Sequence, residues 1–136
     1  MSIQKVNGPV FRLFIDQALD AVGGTAPTVR SDWVDLNGWT DKVVTFEIDS
    51  EGAIDVDLKL EVSPKDYAAL QALGSSVTTD DYSSVDLVTT HTGAVMYRVD
   101  SSDVDDLQRP MTSARLYADN DSATACTINA WLQGWS

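Results

Sequence analysis

The stretch GAIDVDLKLEV, residues 52–62, carries the most regular pattern in this 136-residue chain. Branched aliphatic side chains alternate there without a miss against small or charged ones, and they are Ile54, Val56, Leu58, Leu60 and Val62. A β-strand sorts such a period-two pattern onto two faces, whereas a helix scatters it around its circumference. The stretch therefore predicts a strand with one buried and one solvent-facing side, as in antiparallel sheets.

Similar alternation recurs in seven further segments, which are residues 10–15, 31–36, 42–48, 86–90, 94–99, 112–118 and 126–132. Turn signals separate these segments at intervals of roughly 8 to 12 residues, which is typical of an all-β sandwich or barrel. We therefore predict an all-β fold, an antiparallel and jelly-roll-like β-sandwich of about eight strands with one short helix.

The connections between strands follow from turn residues. Asn37-Gly38 tolerates positive φ, so residues 31–62 are predicted to form three consecutive antiparallel strands in a meander. The link His91-Thr92-Gly93 is predicted to close a hairpin. The pattern that begins at residue 10 favours a strand, with a helix through residue 22 as the alternative.

A short helix is predicted after the central strand, with a loop containing one helical turn as the alternative. Ser63 is a good N-cap, Pro64 suits the first helical position and Gly74 suits the end. One face of that helix would consist of Tyr67, Leu70 and Leu73.

Length and composition indicate one domain, residues 10–136, preceded by a polar arm at residues 1–9. The formal charge of −12 disfavours nucleic acid or an anionic membrane as partner, because phosphate binding needs clustered Lys and Arg. Solubility through self-repulsion explains this charge, and adaptation to a salty environment is the alternative. No leader-like segment and no apolar run of about 20 residues occurs, so synthesis and folding are expected in the cytoplasm.

Enzymatic chemistry is not predicted. The single histidine, His91, lies in a polar link away from any nucleophile motif, and Cys126 falls on an inward face where burial makes a thiol inert. Two such residues cannot form a closed zinc site, and no cofactor is predicted. The metal candidates are acidic loops: Asp100, Asp103, Asp105 and Asp106 would hold calcium, with a solvated loop as the alternative, and Asp80 and Asp81 are a weaker candidate.

Aromatic residues are the candidates for interaction. Exposed rings stack on sugars or anchor protein interfaces, whereas rings that plug the edges of the sandwich have a structural role only. The interface candidates are Trp33, Trp39, Tyr97, Tyr117, Trp131 and Trp135.

A series of strand and turn patterns covers about two thirds of the chain: residues 31–36 followed by Gly38, residues 43–48, 55–63, Arg109-Pro110, 114–120 and 125–131. In the order of these patterns the sequence resembles the small β-sandwich virion proteins of tailed bacteriophages, which decorate capsids or serve as head fibre and cement subunits. The resemblance implies a non-enzymatic structural protein, assembled in the host cytoplasm into the virion, with the major capsid protein or another virion protein as partner. A carbohydrate-binding module or adhesin using surface tryptophans is the alternative, and a hydrolase ranks third.

Self-association is also expected, because a small sandwich has too little surface to hide every outward apolar residue. The outward positions are Val43, Met96 or Tyr97, Tyr117 and Trp131. We expect a trimer first, a dimer second and a monomer third, with association strengthened by salt as like charges are screened. The predicted inner faces consist of Val34, Leu36, Val44, Phe46, Ile54, Val56, Leu58, Leu60, Leu116, Ile128 and Leu132.

Overall fold

A computed structural model describes residues 7–36, 39, 41–50, 52–91, 97–108 and 111–135. Its elements, in chain order, are β1 Asn7–Leu19, β2 Thr28–Arg30, β3 Val34–Asp35, β4 Asp41–Ser50, β5 Val56–Ser63, α1 Tyr67–Leu73, β6 Ser83–His91, β7 Tyr97–Val99, β8 Ser113–Asn120 and β9 Cys126–Trp135. Short 3-10 helices follow α1 at Gly74–Ser76 and precede β8 at Asp105–Gln108. No helix within these ranges is long and apolar enough to cross a bilayer.

The strands form two antiparallel sheets. The four-stranded sheet has the order β1-β9-β4-β7, and the five-stranded sheet has the order β2-β8-β5-β6 with β3 also paired to β8. Aliphatic and aromatic side chains from both sheets meet in a single core between them. The predicted all-β, antiparallel sandwich with one short helix is therefore confirmed.

The central stretch takes the predicted register. β5 pairs with β8 on one side and β6 on the other, and Val56, Leu58 and Leu60 are fully buried while Asp57 and Lys59 face outward. Of the eleven predicted inner-face residues, ten are buried and Val34 is partly buried against the same core. Period two thus identified the buried face of β5 correctly.

The predicted connections between strands were wrong. β3 lies in the five-stranded sheet, β4 in the four-stranded sheet and β5 again in the five-stranded sheet, so these strands form no meander. β6 pairs with β5 while β7 pairs with β4, so no hairpin joins them. Alternation reports which face of a strand is buried, but it carries no information about which strand lies beside it. The predicted turn at residues 37–38 and the link at residues 92–96 lie outside the described ranges.

The helix begins three residues later than predicted. Asp66 caps α1 through its Oδ1, which accepts a hydrogen bond of 2.7 Å from the Ala69 amide. Ser63, the predicted cap, instead ends β5, where its Oγ donates to the Asp81 carbonyl and accepts from the Lys65 amide. Gly74 ends the helix with a positive φ of 54°, as predicted. Leu70 alone is buried among the predicted face residues.

The first strand extends further at both ends than its pattern indicated. β1 begins at Asn7 and runs through Leu19, so residues 7–9 belong to the sheet rather than to an arm, and the helical alternative was wrong. Residues 1–6 lie outside the described part of the chain. Three register irregularities interrupt the pairing of β1 with β9, which explains why its alternation is imperfect.

A buried lysine fastens the second 3-10 helix to the four-stranded sheet. The Lys42 side chain is 1% exposed, and its Nζ donates to the Leu107 carbonyl at 3.2 Å. Burial disfavours the charged ammonium and lowers the pKa of Lys42 to about 8, although the neighbouring Asp41 charge opposes this shift. The residue therefore carries a cost to folding near neutral pH.

Alkaline pH is expected to relieve that cost. An unfolded lysine keeps its proton up to about pH 10.5, whereas Lys42 in the fold releases it near pH 8, so the unfolded state binds more protons between these values and stability rises with pH there. Urea unfolding of wild type and Lys42→Met measures this. Between about pH 8 and pH 10.5, the free energy of unfolding of the wild type should increase relative to that of the variant, with a slope approaching about 1.4 kcal/mol per pH unit. Parallel pH profiles would contradict the assignment.

Candidate functional site

One outer surface of the sandwich has uncharged and mainly apolar side chains at its centre. We call it the Trp131 face, and it consists of Val10, Arg12, Val43, Thr45, Trp131 and Gln133 on the four-stranded sheet. Strand register places Arg12, Trp131 and Thr45 in one row, which continues to Arg98 on β7. The centre of this face has no carboxylate, but Asp41 and Glu47 flank it on the same outward side of β4.

A groove of about 270 Å³ opens on the Trp131 face. It is lined by Val10, Val43, Thr45, Trp131 and Gln133. Val10 is 58% exposed, and Ile15 further along β1 is also exposed. Apolar side chains from three adjacent strands thus form a concave, solvent-facing surface, which is the usual character of a protein interaction site.

A hydrogen-bond network holds the edge of this face. The Arg12 guanidinium lies 4.8 Å from the centre of the Trp131 ring and donates to Asn129 Oδ1 at 2.6 Å. Asn129 Oδ1 also accepts from the Asp16 amide at 2.8 Å, and Asn129 Nδ2 donates to Asp16 Oδ1 at 3.1 Å. These bonds fix Arg12 over the ring before any partner arrives.

Asp16 is held in a sparsely populated backbone conformation. Its φ of 44° is the one positive value at a non-glycine residue within the described ranges. Such conformations persist where surrounding contacts impose them, and they cluster at functional sites. The two hydrogen bonds to Asn129 are the imposing contacts here. Sequence reasoning missed Arg12, Asp16 and Asn129, because the pairing partner of β1 was not known.

The opposite outer surface has two rows of contrasting charge. We call it the charged face, and its residues are Thr28, Arg30, Asp57, Lys59, Tyr117 and Asp119 on the five-stranded sheet. Register aligns Thr28, Asp119 and Asp57 in an acidic row and Arg30, Tyr117 and Lys59 in the adjacent basic row. The Arg30 guanidinium and the Lys59 ammonium lie 4.9 Å and 5.8 Å from the Tyr117 ring centre.

A buried carboxylate lies beside the basic row. Glu61 is 2% exposed and accepts hydrogen bonds from Arg30 Nε at 3.0 Å and Arg115 Nε at 2.6 Å. The Arg115 guanidinium in turn lies 4.4 Å from the Trp33 ring and 5.2 Å from the Tyr82 ring. Trp33, predicted as an exposed interface residue, is only 7% exposed. Its ring packs against the Arg115 guanidinium, so it is not available to a binding partner.

Three carboxylates converge at the acidic row. Oxygens of Asp57, Asp119 and Asp121 lie within 4.8 Å of one another. Burial raises the pKa of Asp57, and the negative charges of Asp121, Asp55 and Asp119 raise it further. The predicted calcium loop does not converge in this way: Asp100 instead accepts hydrogen bonds from Ser102, and Asp103 accepts one from the Asp100 amide.

The other candidate residues have structural surroundings. Trp39 packs against Gly8 and Gly134, where an added Cβ would come within 2.9 Å of its side chain. It therefore plugs one end of the four-stranded sheet. The backbones of Tyr97 and Trp135 pair with those of Phe46 and Asp41, and the side chains of Tyr97, Trp135 and His91 lie outside the described part.

The predicted burial of the single thiol is confirmed. Cys126 is buried at the start of β9, and burial raises the pKa of its thiol.

Comparison with known proteins identifies the fold. No family model matches the sequence, and no curated protein sequence matches it. The fold is similar to the VP2 subviral particle protein of infectious bursal disease virus, with a TM-score of 0.58 and 8% identity over 97% of this chain. VP2 from T=1 particles of the same virus gives a TM-score of 0.57 at 8% identity over 97%, and the virus's Gx strain structure gives 0.55 at 11% over 98%.

The chain spans about a third of the length of these viral proteins: 32% of the subviral particle protein, 31% of the T=1 particle protein and 33% of the Gx strain protein. At such low identity the likeness concerns the fold alone. It shows that the sandwich is similar in fold to a part of these viral proteins.

Proposed function

We propose that this chain is a non-enzymatic structural protein of a tailed-bacteriophage particle that decorates or cements the capsid through the Trp131 face. Two observations support a role in a virus particle. The sandwich is similar in fold to viral capsid proteins, and the sequence resembles phage decoration proteins. The groove on the Trp131 face carries the proposal for the site, because its solvent-facing lining is mainly apolar and contains no charged side chain on a chain of charge −12.

Binding would bury Trp131 and the aliphatic lining of the groove against a protruding apolar side chain of the major capsid protein. Trp is a frequent anchor in such interfaces, and Arg12 is already ordered over its ring, so little side-chain freedom is lost on binding. Burying the groove lining itself also buries no charged side chain. Many copies bound across subunit boundaries stabilise the assembled shell over its free parts.

A carbohydrate-binding module or adhesin is the second candidate. The observation in its favour is that Thr45 and Gln133 place hydrogen-bonding groups beside the Trp131 ring in the same groove. A flat apolar ring with a few polar neighbours suits a sugar as well as a protein side chain.

Removing the Trp131 ring should abolish capsid binding. The experiment is cosedimentation with empty capsid shells of the phage that encodes the chain, using wild type, Trp131→Ala and, as matched control, Tyr67→Ala, an aromatic residue on α1 that is 40% exposed and lies outside both faces. We expect Trp131→Ala to weaken binding by about 30-fold or more, as truncation of a central anchor does, and the control to bind like wild type. Shell binding that Trp131→Ala leaves unchanged contradicts the site. Specific binding on a glycan array that depends on Trp131, without shell binding, favours the carbohydrate alternative.

A further inference from the structure

The charged face is complementary to itself. Its acidic and basic rows lie on the same strands, two residues apart, so their spacing is about 7 Å. We infer that two copies of this chain pair face to face through the charged face, related by a two-fold axis that lies between the rows and runs parallel to them.

This axis brings opposite charges together twice. Each Lys59 approaches Asp57 of the second copy, and each Tyr117 hydroxyl approaches Asp119 of the second copy. The rotation exchanges the rows while leaving each strand opposite its own counterpart, so every contact occurs in two equivalent positions. An isologous interface requires this kind of self-complementarity.

Exposure leaves Lys59 available, because its side chain is 44% exposed. The Arg30 side chain is 42% exposed, but its Nε is bound to Glu61, so the pairing does not depend on it. Lys59 has an ion pair with Asp86 of its own chain, but it is long, at 3.9 Å, and Asp86 is itself well exposed. On pairing, Lys59 would leave Asp86 and contact the acidic row of the second copy. Its ammonium would then lie beside three converging carboxylates instead of one.

The pairing would also compensate the mutual repulsion of the carboxylates within the acidic row. Asp57 lies among Asp55, Asp119 and Asp121. A second copy would supply the missing positive charge at short range. The remaining negative charge of the two chains repels at longer range, so salt up to about 0.15 M, where the screening length is about 8 Å, should favour the dimer.

Charge exchange between variants provides the test. In Lys59→Glu both rows are acidic on β5, and in Asp57→Lys both are basic there, so each variant alone should dimerise at least about tenfold more weakly than wild type. In an equimolar mixture, Asp57 of the first variant faces Lys59 of the second, and the two substituted side chains, which have opposite charges, face each other. The mixture should therefore form a heterodimer.

A double variant completes the design. Asp57→Lys/Lys59→Glu exchanges the two charges within one chain, so it should self-associate again. Sedimentation equilibrium measures the mass of each variant and of the mixture, and circular dichroism verifies that each variant is folded.

Other results would overturn the inference. These are a monomer up to tens of micromolar, a trimer, or a dimer that both single variants leave intact while Trp131→Ala disrupts it. A dimer that forms only with added calcium and is lost with a chelator would mean that a cation, and not Lys59, neutralises the acidic row. The inference does not rest on particle binding, because the purified chain is tested without shells.

Discussion

Replacing Glu61 with alanine is expected to destabilise the fold by about 3 to 5 kcal/mol, which is a large part of the total stability of a domain this size. The carboxylate is buried and accepts from both Arg30 and Arg115. Arg115 is shielded by Trp33 and Tyr82, so it would keep its charge with much of its hydration lost and no anion beside it. Urea unfolding at neutral pH measures the loss.

Two further variants distinguish the effect of losing the Glu61 charge from the effect of losing its side-chain volume. Glu61→Gln keeps the volume and one acceptor oxygen but removes the negative charge, so it should remain clearly destabilised. The triple variant Glu61→Leu/Arg30→Met/Arg115→Met removes every charge of the cluster and should recover most of the loss, because an apolar replacement leaves no unpaired ion. A wild-type stability for Glu61→Ala would show that Arg115 finds an alternative partner or solvent.

Truncation of Leu58 is expected to cost about 2 to 5 kcal/mol. Leu58 is fully buried at the middle of β5, between β6 and β8, and its removal leaves a cavity where two sheets meet. Denaturant unfolding followed by tryptophan fluorescence reports the change, since Trp33 is buried in the same structure.

Asp57→Ala is the matched control for Leu58→Ala, because the two residues are neighbours on opposite faces of β5. Its effect should stay within about 0.5 kcal/mol, and relief of repulsion from the other carboxylates favours the stabilising direction. Equal and small effects from both substitutions would mean that the register of β5 is wrong.

The buried faces of the strands could be predicted from the sequence because they depend on local alternation. Val56, Leu58 and Leu60 lie inward because a register shift of one residue would expose all three. Strand neighbours depend on contacts between distant segments, and no local pattern encodes them. The predicted meander and hairpin failed for that reason. Ser63 and Asp66 are both good caps, so composition alone could not decide between them.

The candidate surfaces could likewise be predicted only in part. Trp131 was identified as an outward aromatic residue, but the network that orders its neighbour joins Arg12 to Asn129, 117 positions along the chain. The converging carboxylates were missed because Asp57 and Asp119 come together only through the pairing of β5 with β8. The acidic loop at residues 100–106 was the predicted metal site, yet Asp100 and Asp103 accept hydrogen bonds from their own turn.

The position of β9 between β1 and β4 imposes an order on how the chain folds. β1 and β4 are made early in synthesis, but neither pairs with the other, and the strand that joins them is the last in the described chain. β5 likewise waits for β8 on one side. Closing such long loops before any contact is gained slows folding, so the domain should fold only once β9 has emerged from the ribosome, at rates typical of β-sandwich proteins. Until then the aliphatic faces of its early strands are exposed, and production in a heterologous host should improve when synthesis is slowed by low temperature or when holding chaperones are abundant.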